Sequence, residues 1–291
     1  MSLLVFSGSV EQGLIYGLVA LALLVSYRVL DIADLTVDGS FTLGAGASAM
    51  LVLAGHPIFG LLVAPLAGAL AGVVTALLQT KCKVAPILAG IITMTALYSI
   101  NLMVMGGRSN LQLLRTETVF TAVRALLGDN VGPLVLLAVL DIAVCALLGL
   151  FLRTRTGLAV RATGDNPAMV RASSINPAVT TLIGLAIANA LVGLAGGLIA
   201  QYQQFTEVGG GTGTVVLGLA SLIIGEVITG RSSMPRRLAG AIVGAIVYRL
   251  ILALALSASV TPQNLKLVSA IIVAAAISAP AIKQRGQLAQ K

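Results

Sequence analysis

The chain has 291 residues, 58% of them hydrophobic and 10% charged, with a net charge of +8. Soluble domains hold about 45–50% apolar and about 25% charged residues. This composition therefore excludes an ordinary soluble enzyme, a disordered chain and a disulfide-rich secreted module, and describes a polytopic membrane protein whose positive charge reflects loop topology, not nucleic-acid binding.

Apolar runs predict nine membrane helices at 11–27, 38–54, 58–79, 86–105, 132–152, 178–200, 214–230, 238–258 and 264–280, each near the roughly 20 residues a bilayer requires. Glu11 opens the first run. No basic stretch precedes it and no small-residue cleavage site follows, so it reads as a retained span, not a signal peptide. The second run begins in polar, glycine-rich sequence holding Asp31, Asp34 and Asp38 with Thr36, Ser40 and Thr42. Polar groups entering a bilayer line a cavity or face protein, so Asp34, Asp38, Ser40 and Thr42 are candidates for a translocation pathway. The alternative is a turn in which Asp38 caps the second span. Without histidine these carboxylates make no metal site.

Gly-x-x-x-Gly recurs at Gly13/Gly17, Gly68/Gly72, Gly193/Gly197 and Gly240/Gly244, spacing that lets helix backbones approach closely. On the fourth span Thr93, Leu97 and Asn101 are four apart, as are Asn189, Gly193 and Gly197 on the sixth. Thr93, Asn101 and Asn189 join the pathway candidates, with helix–helix hydrogen bonds as the other reading of the asparagines. Between spans, 106–132 forms the longest external loop. There Val119, Phe120, Val123, Leu126 and Leu127 follow helical spacing up to Gly128, predicting an interfacial helix.

The loop 153–177 is the longest internal one. Asp165 or Asn166 followed by Pro167 is a helix start, and Asn176-Pro177 repeats the signal for the next span. A helix from Pro167 to near Ile175 has about two turns, too short to persist in water alone, so it needs a surface to dock on. Charges inside the spans also need partners. Asp141 and Arg249 match in predicted depth and are expected to pair, within one chain or across a dimer. Glu226 lies deeper, near the level of Arg231. Acidic and glycine-rich sequence precedes a span at 38–40 and again at 207–211, on opposite sides, the pattern of an inverted repeat.

Thirteen Lys and Arg fall in one set of alternate loops and the C-terminus, against four, Arg108, Arg115, Arg124 and Lys266, in the other. This bias predicts the N-terminus outside and the C-terminus inside. Cys82 lies in a loop and Cys145 in a span, so no disulfide is expected. His56, the single histidine, reads as a surface residue.

The loop motif at 157–162, the opening at 13–45 with its Asp-Leu-Thr-Val-Asp-Gly-Ser at 34–40, and the glycine-rich run 184–201 resemble ABC importer permeases of the branched-chain-amino-acid and ribose type. The 34–40 version is similar to a subgroup paired with binding proteins for aromatic or related amino acids. The resemblance implies an all-α permease domain over 1–291, in a bacterial cytoplasmic (inner) membrane. A second permease copy would join it, with an external solute-binding protein and cytoplasmic ATPases that bind ATP and Mg. Asp165, Asn166, Pro167, Ala168, Met169, Val170, Arg171, Ala172, Ser173 and Ser174 would then couple to the ATPase. No Gly-x-x-x-x-Gly-Lys phosphate loop occurs, so no nucleotide cofactor is expected in the chain itself. A self-sufficient secondary transporter or channel is the alternative. A membrane scaffold or intramembrane enzyme is a third, but no catalytic or metal constellation assembles.

Overall fold

The computed structural model describes residues 3–257, apart from Arg115, Asn130 and Arg231, together with 270, 271 and 274. Of the described residues, 79% are helical. Its helices are α1 (Leu3–Leu23, continued by a π-helical turn Leu24–Val29), α2 (Val37–Leu53), α3 (Pro57–Thr80), α4 (Pro86–Val104), α5 (Val119–Leu127), α6 (Gly132–Phe151), α7 (Arg155–Asp165), α8 (Pro167–Ala172), α9 (Pro177–Gln203), α10 (Thr214–Thr229) and α11 (Met234–Ser257). Six of them, with the π turn counted into α1, are long and apolar enough to cross a membrane, while α2 and α10 are shorter apolar helices. Of the ninth predicted span, 264–280, the described residues include 270, 271 and 274 alone.

Proline sets several starts. Pro57, Pro86, Pro133, Pro167 and Pro177 occupy the first turn of α3, α4, α6, α8 and α9, where a missing N–H costs nothing. The first span departs from expectation. It begins at Leu3, so Glu11 sits inside α1, 5% exposed, where its Oε2 accepts from the Tyr202 hydroxyl at 2.7 Å.

α1 and α9 form the centre of the bundle. Most of α1 is buried, from Leu14 to Val25 without interruption. α9 packs against α3 and α2 through main chain. A β-carbon on Gly68 would overlap the Asn189 carbonyl, one on Gly193 the Ala64 carbonyl, and one on Gly44 the Gly193 carbonyl. Gly13 and Gly17 receive Ile246 and Ile242 of α11, while Gly240 and Gly244 meet Gly225 and Ser221 of α10. All four Gly-x-x-x-Gly pairs thus lie on helix seams. The outer faces of α3 and α6 expose Leu62, Leu66, Leu70, Val139 and Ile142, side chains suited to lipid or another subunit.

At one end of the bundle a two-stranded antiparallel ribbon joins β1 (Asn110–Gln112) to β2 (Phe205–Glu207), with Leu111 opposite Thr206. The loop containing α5 is pinned there. Gln201 accepts from the Val119 amide at 3.0 Å and donates to Ser48 Oγ and the Pro57 carbonyl at 3.0 and 2.8 Å. Thr118 caps α5, and Gly128 ends it with φ 89°, a left-handed conformation open to glycine.

Candidate functional site: two helix starts meeting within the bundle

α2 does not begin level with its neighbours. Gly90, near the start of α4, abuts Leu35, and Gly39 packs on Met94 and Leu97 near the middle of α4. α10 begins at the same level, because the Gly213 and Val215 amides both donate to Asp38, at 2.9 Å to Oδ2 and Oδ1. The Gly211 amide donates to Thr42 Oγ1 at 3.0 Å. α2 has 17 residues and α10 has 16. At ~1.5 Å per residue they span about 25 and 24 Å, short of the ~30 Å hydrocarbon core. The irregular segments 30–36 and 208–213 make up the remainder. The alternative reading, in which Asp38 caps α2, is therefore corrected. Thr36 is the N-terminal residue there, without a side-chain cap bond, and the Asp38 carboxylate supplies acceptors to the orphan amides of α10 instead.

Below this junction lies a buried polar bracket. Asn189 Nδ2 donates to Asp34 Oδ2 at 2.7 Å, and its Oδ1 accepts from Ser40 Oγ at 2.7 Å. Asp34 Oδ1 accepts from the Thr36 amide at 2.9 Å, and Thr36 and Thr75 share a hydroxyl bond of 2.7 Å. All five side chains are buried. Asp34, Ser40 and Asn189 are thus brought together but hold α2 and the segment before it onto α9, while Thr36 and Thr75 tie the α2 start to α3. They do not line an open cavity. Thr93 is also buried, bonding the Ala89 carbonyl of its own helix.

Asp38, Thr42 and Asn101 line a cleft of about 250 Å³ between α2, α4 and the 208–213 loop, with Met94, Tyr98 and Thr212 among its walls. A smaller cavity of about 110 Å³, bounded by Tyr16, Phe41 and Glu207, also touches Thr42. Tyr98 was not singled out from sequence. Its signal was available, three residues from both Thr95 and Asn101 and so on their helix face.

The Asp141–Arg249 pair does not form within this chain. A β-carbon on Gly17 would lie 3.5 Å from both Asp141 Oδ2 and Ile242 Cα, which puts Asp141 level with Ile242. Arg249 is two turns further along α11, about 10 Å away. Its guanidinium lies over the Tyr16 ring, 4.0 Å from the centroid, a cation–π contact. Among the described residues the salt bridge within the bundle is instead Arg28–Glu226, at 2.7 Å. It joins the π turn to α10, where the sequence had matched Glu226 in depth with Arg231.

The segment 153–177 contains two helices where one was expected. α7 was missed, although Thr154 caps it by accepting from the Gly157 amide at 3.1 Å and Ala159, Val160 and Thr163 form its buried stripe. α8 stops at Ala172, short of the expected Ile175, and Ser174 turns left-handed at φ 62°. Asn166 caps α8 through the Ala168 and Met169 amides, both at 3.0 Å, and Asn176 caps α9 through Ala178. Of the ten residues proposed for coupling, Val170 is buried within this chain. Asp165, Asn166, Pro167, Ala168, Met169, Arg171, Ala172, Ser173 and Ser174 are exposed.

The family described as "Branched-chain amino acid transport system / permease component" matches residues 5–277. The "Tyrosine transport system permease protein" of Clostridioides difficile (strain R20291) is 37% identical over 266 residues, covering 91% of this chain and 87% of the relative. An uncharacterized protein of Rickettsia prowazekii (strain Madrid E) is 30% identical over 274 residues, covering 93% and 95%. No solved structure matches the chain.

Proposed function

The chain belongs to the family of branched-chain amino acid transport permeases, and from that premise we propose that it is the membrane subunit of an ATP-driven importer for an amino acid, aromatic or similar. Two copies enclose the path. An external binding protein delivers solute, and cytoplasmic ATPases holding ATP and Mg grip the α7–α8 segment and drive alternation. The membrane is the bacterial cytoplasmic membrane, with the α7–α8 end inside and the ribbon end outside. The observation that carries the reading is the clasp at Asp38. Two short helices begin face to face within the bundle beside a solute-sized cleft, as in transporters with discontinuous helices. Asp38, Thr42 and Asn101 belong to the path in this reading, while Asp34, Ser40, Thr93 and Asn189 support it from behind.

Uptake of radiolabelled tyrosine into proteoliposomes holding the full chain, its ATPase and its binding protein tests the reading. Accumulation that requires ATP and both partners is expected. Accumulation by the chain alone would make it a self-sufficient carrier. Orientation has its own check at Cys82, exposed in the turn between α3 and α4. A membrane-impermeant maleimide is expected to spare it in intact cells and label it in inverted vesicles, and the reverse pattern overturns the topology.

A further inference from the structure

Resting on the permease reading, we propose that the cleft between α2, α4 and the 208–213 loop is a solute subsite that recognises an ammonium or similar nitrogen–hydrogen donor and rejects a carboxylate. The orientation of Asn101 comes first. Its Nδ2 donates to the Gly39 carbonyl at 3.2 Å. A carbonyl only accepts, so the amide oxygen is the end left over. That oxygen has no hydrogen-bond partner among the described residues, although Asn101 is only 2% exposed. A buried acceptor left unmatched is costly; Asn101 lines the cleft, and a small turn of its amide toward a donor seated there would relieve it.

The charge of the rest of the lining points the same way. Asp38 is its charged residue, and no Lys, Arg or His lines the cleft among the described residues. Its oxygens take the amides of Gly213, Thr214 and Val215 at the α10 start, leaving about one of roughly four lone-pair sites open. The hydroxyl protons of Thr42 and Thr95 are committed to the Asp38 and Ile91 carbonyls. A carboxylate placed here meets the like charge of Asp38, with the Tyr98 and Thr212 hydroxyls as the donors the lining offers it. An ammonium meets Asn101 Oδ1, a carboxylate and the exposed ring of Tyr98, which offers a cation–π face. At about 250 Å³ the space is below the range of drug-sized pockets and suits one small solute end.

The test uses two probes with one ring, tyramine and 3-(4-hydroxyphenyl)propionate, and saturation-transfer NMR on the full chain in nanodiscs. Tyramine is expected to bind at least about tenfold more tightly, since a site built around hydrogen bonds rejects the analogue that cannot form them. Asn101→Leu and Tyr98→Ala should each reduce that preference to about threefold or less, with melting temperatures showing that both variants fold. Tyr98 is exposed, so its variant remains informative if Asn101→Leu destabilises the chain. Equal binding, preference for the acid, no binding of either probe, or an unchanged preference in both variants overturns the subsite. If ATP-driven tyrosine uptake persists in that event, only the subsite is lost and the permease reading stands. If uptake itself needs no partner, it is the permease reading that fails.

Discussion

Met169→Glu is expected to abolish solute-stimulated ATP hydrolysis by the partner while leaving the permease folded and in the membrane. Met169 is 58% exposed on α8, and its neighbour Val170 is 1% exposed and holds the helix to its own chain. α8 has six residues, far below the length at which an isolated helix persists in water. Its shape therefore depends on the Asn166 cap, the anchor at Val170 and whatever it meets outside. An exposed Met beside an exposed Arg171 is the composition of an interface centre. A carboxylate buried there should cost about 2 kcal/mol or more, about a thirtyfold loss of ATPase affinity. Val170→Asp is the contrasting variant, because it unseats α8 from inside and should lower thermal stability as well. ATPase rates of the reconstituted complex, with melting curves of each permease variant, check both outcomes. Full stimulation with Met169→Glu removes α8 from the coupling surface.

Gly193→Leu is expected to prevent assembly altogether. A first carbon at this position already collides with the Ala64 carbonyl and approaches Gly68, while the Gly44 face presses from α2. Overpacking a core costs about 1–3 kcal/mol when side chains can yield, but here the obstacle is main chain on two neighbouring helices. The loss should therefore reach or exceed about 3 kcal/mol and appear as absence of monodisperse protein in fluorescence-detected size-exclusion chromatography. Gly149→Ala is the control. Its β-carbon would meet only the end of Leu238, at 3.4 Å, and should change stability by about 0.5 kcal/mol or less. A well-folded Gly193→Leu protein would mean that α3 and α9 do not pack as described.

Helix ends were legible because their signals are local. Proline in a first turn and an asparagine before it act within four residues, which is why α3, α4, α6 and α9 lie within three residues of the predicted boundaries. The glycine pairs announced close seams but not which helices would share them. Relative height along neighbouring helices is set by packing across the bundle, and no short pattern encodes it. That is why Asp141 was matched to Arg249 when the fold sets them two turns apart within the chain, and why the alternative reading of Asp38 placed it on its own helix start when its acceptors serve α10. α7 was missed for another reason. Arg155, Arg161 and Gly157 obscure its apolar stripe, and its buried face is completed by main chain of the π turn, where Gly164 lies on the Val29 carbonyl.

The clasp at Asp38 also dictates an order of biogenesis. The strip from 208 to 213 carries amides that no bilayer interior can solvate, and a lone segment of this kind is not tolerated in hydrocarbon. Three of its amides and those of the α10 start, at Gly211, Gly213 and Val215, are satisfied by side chains of α2. The second half of the chain therefore cannot settle at its final depth on its own. α2 precedes α10 in the chain, so the early half is expected to be the template on which the late half is seated.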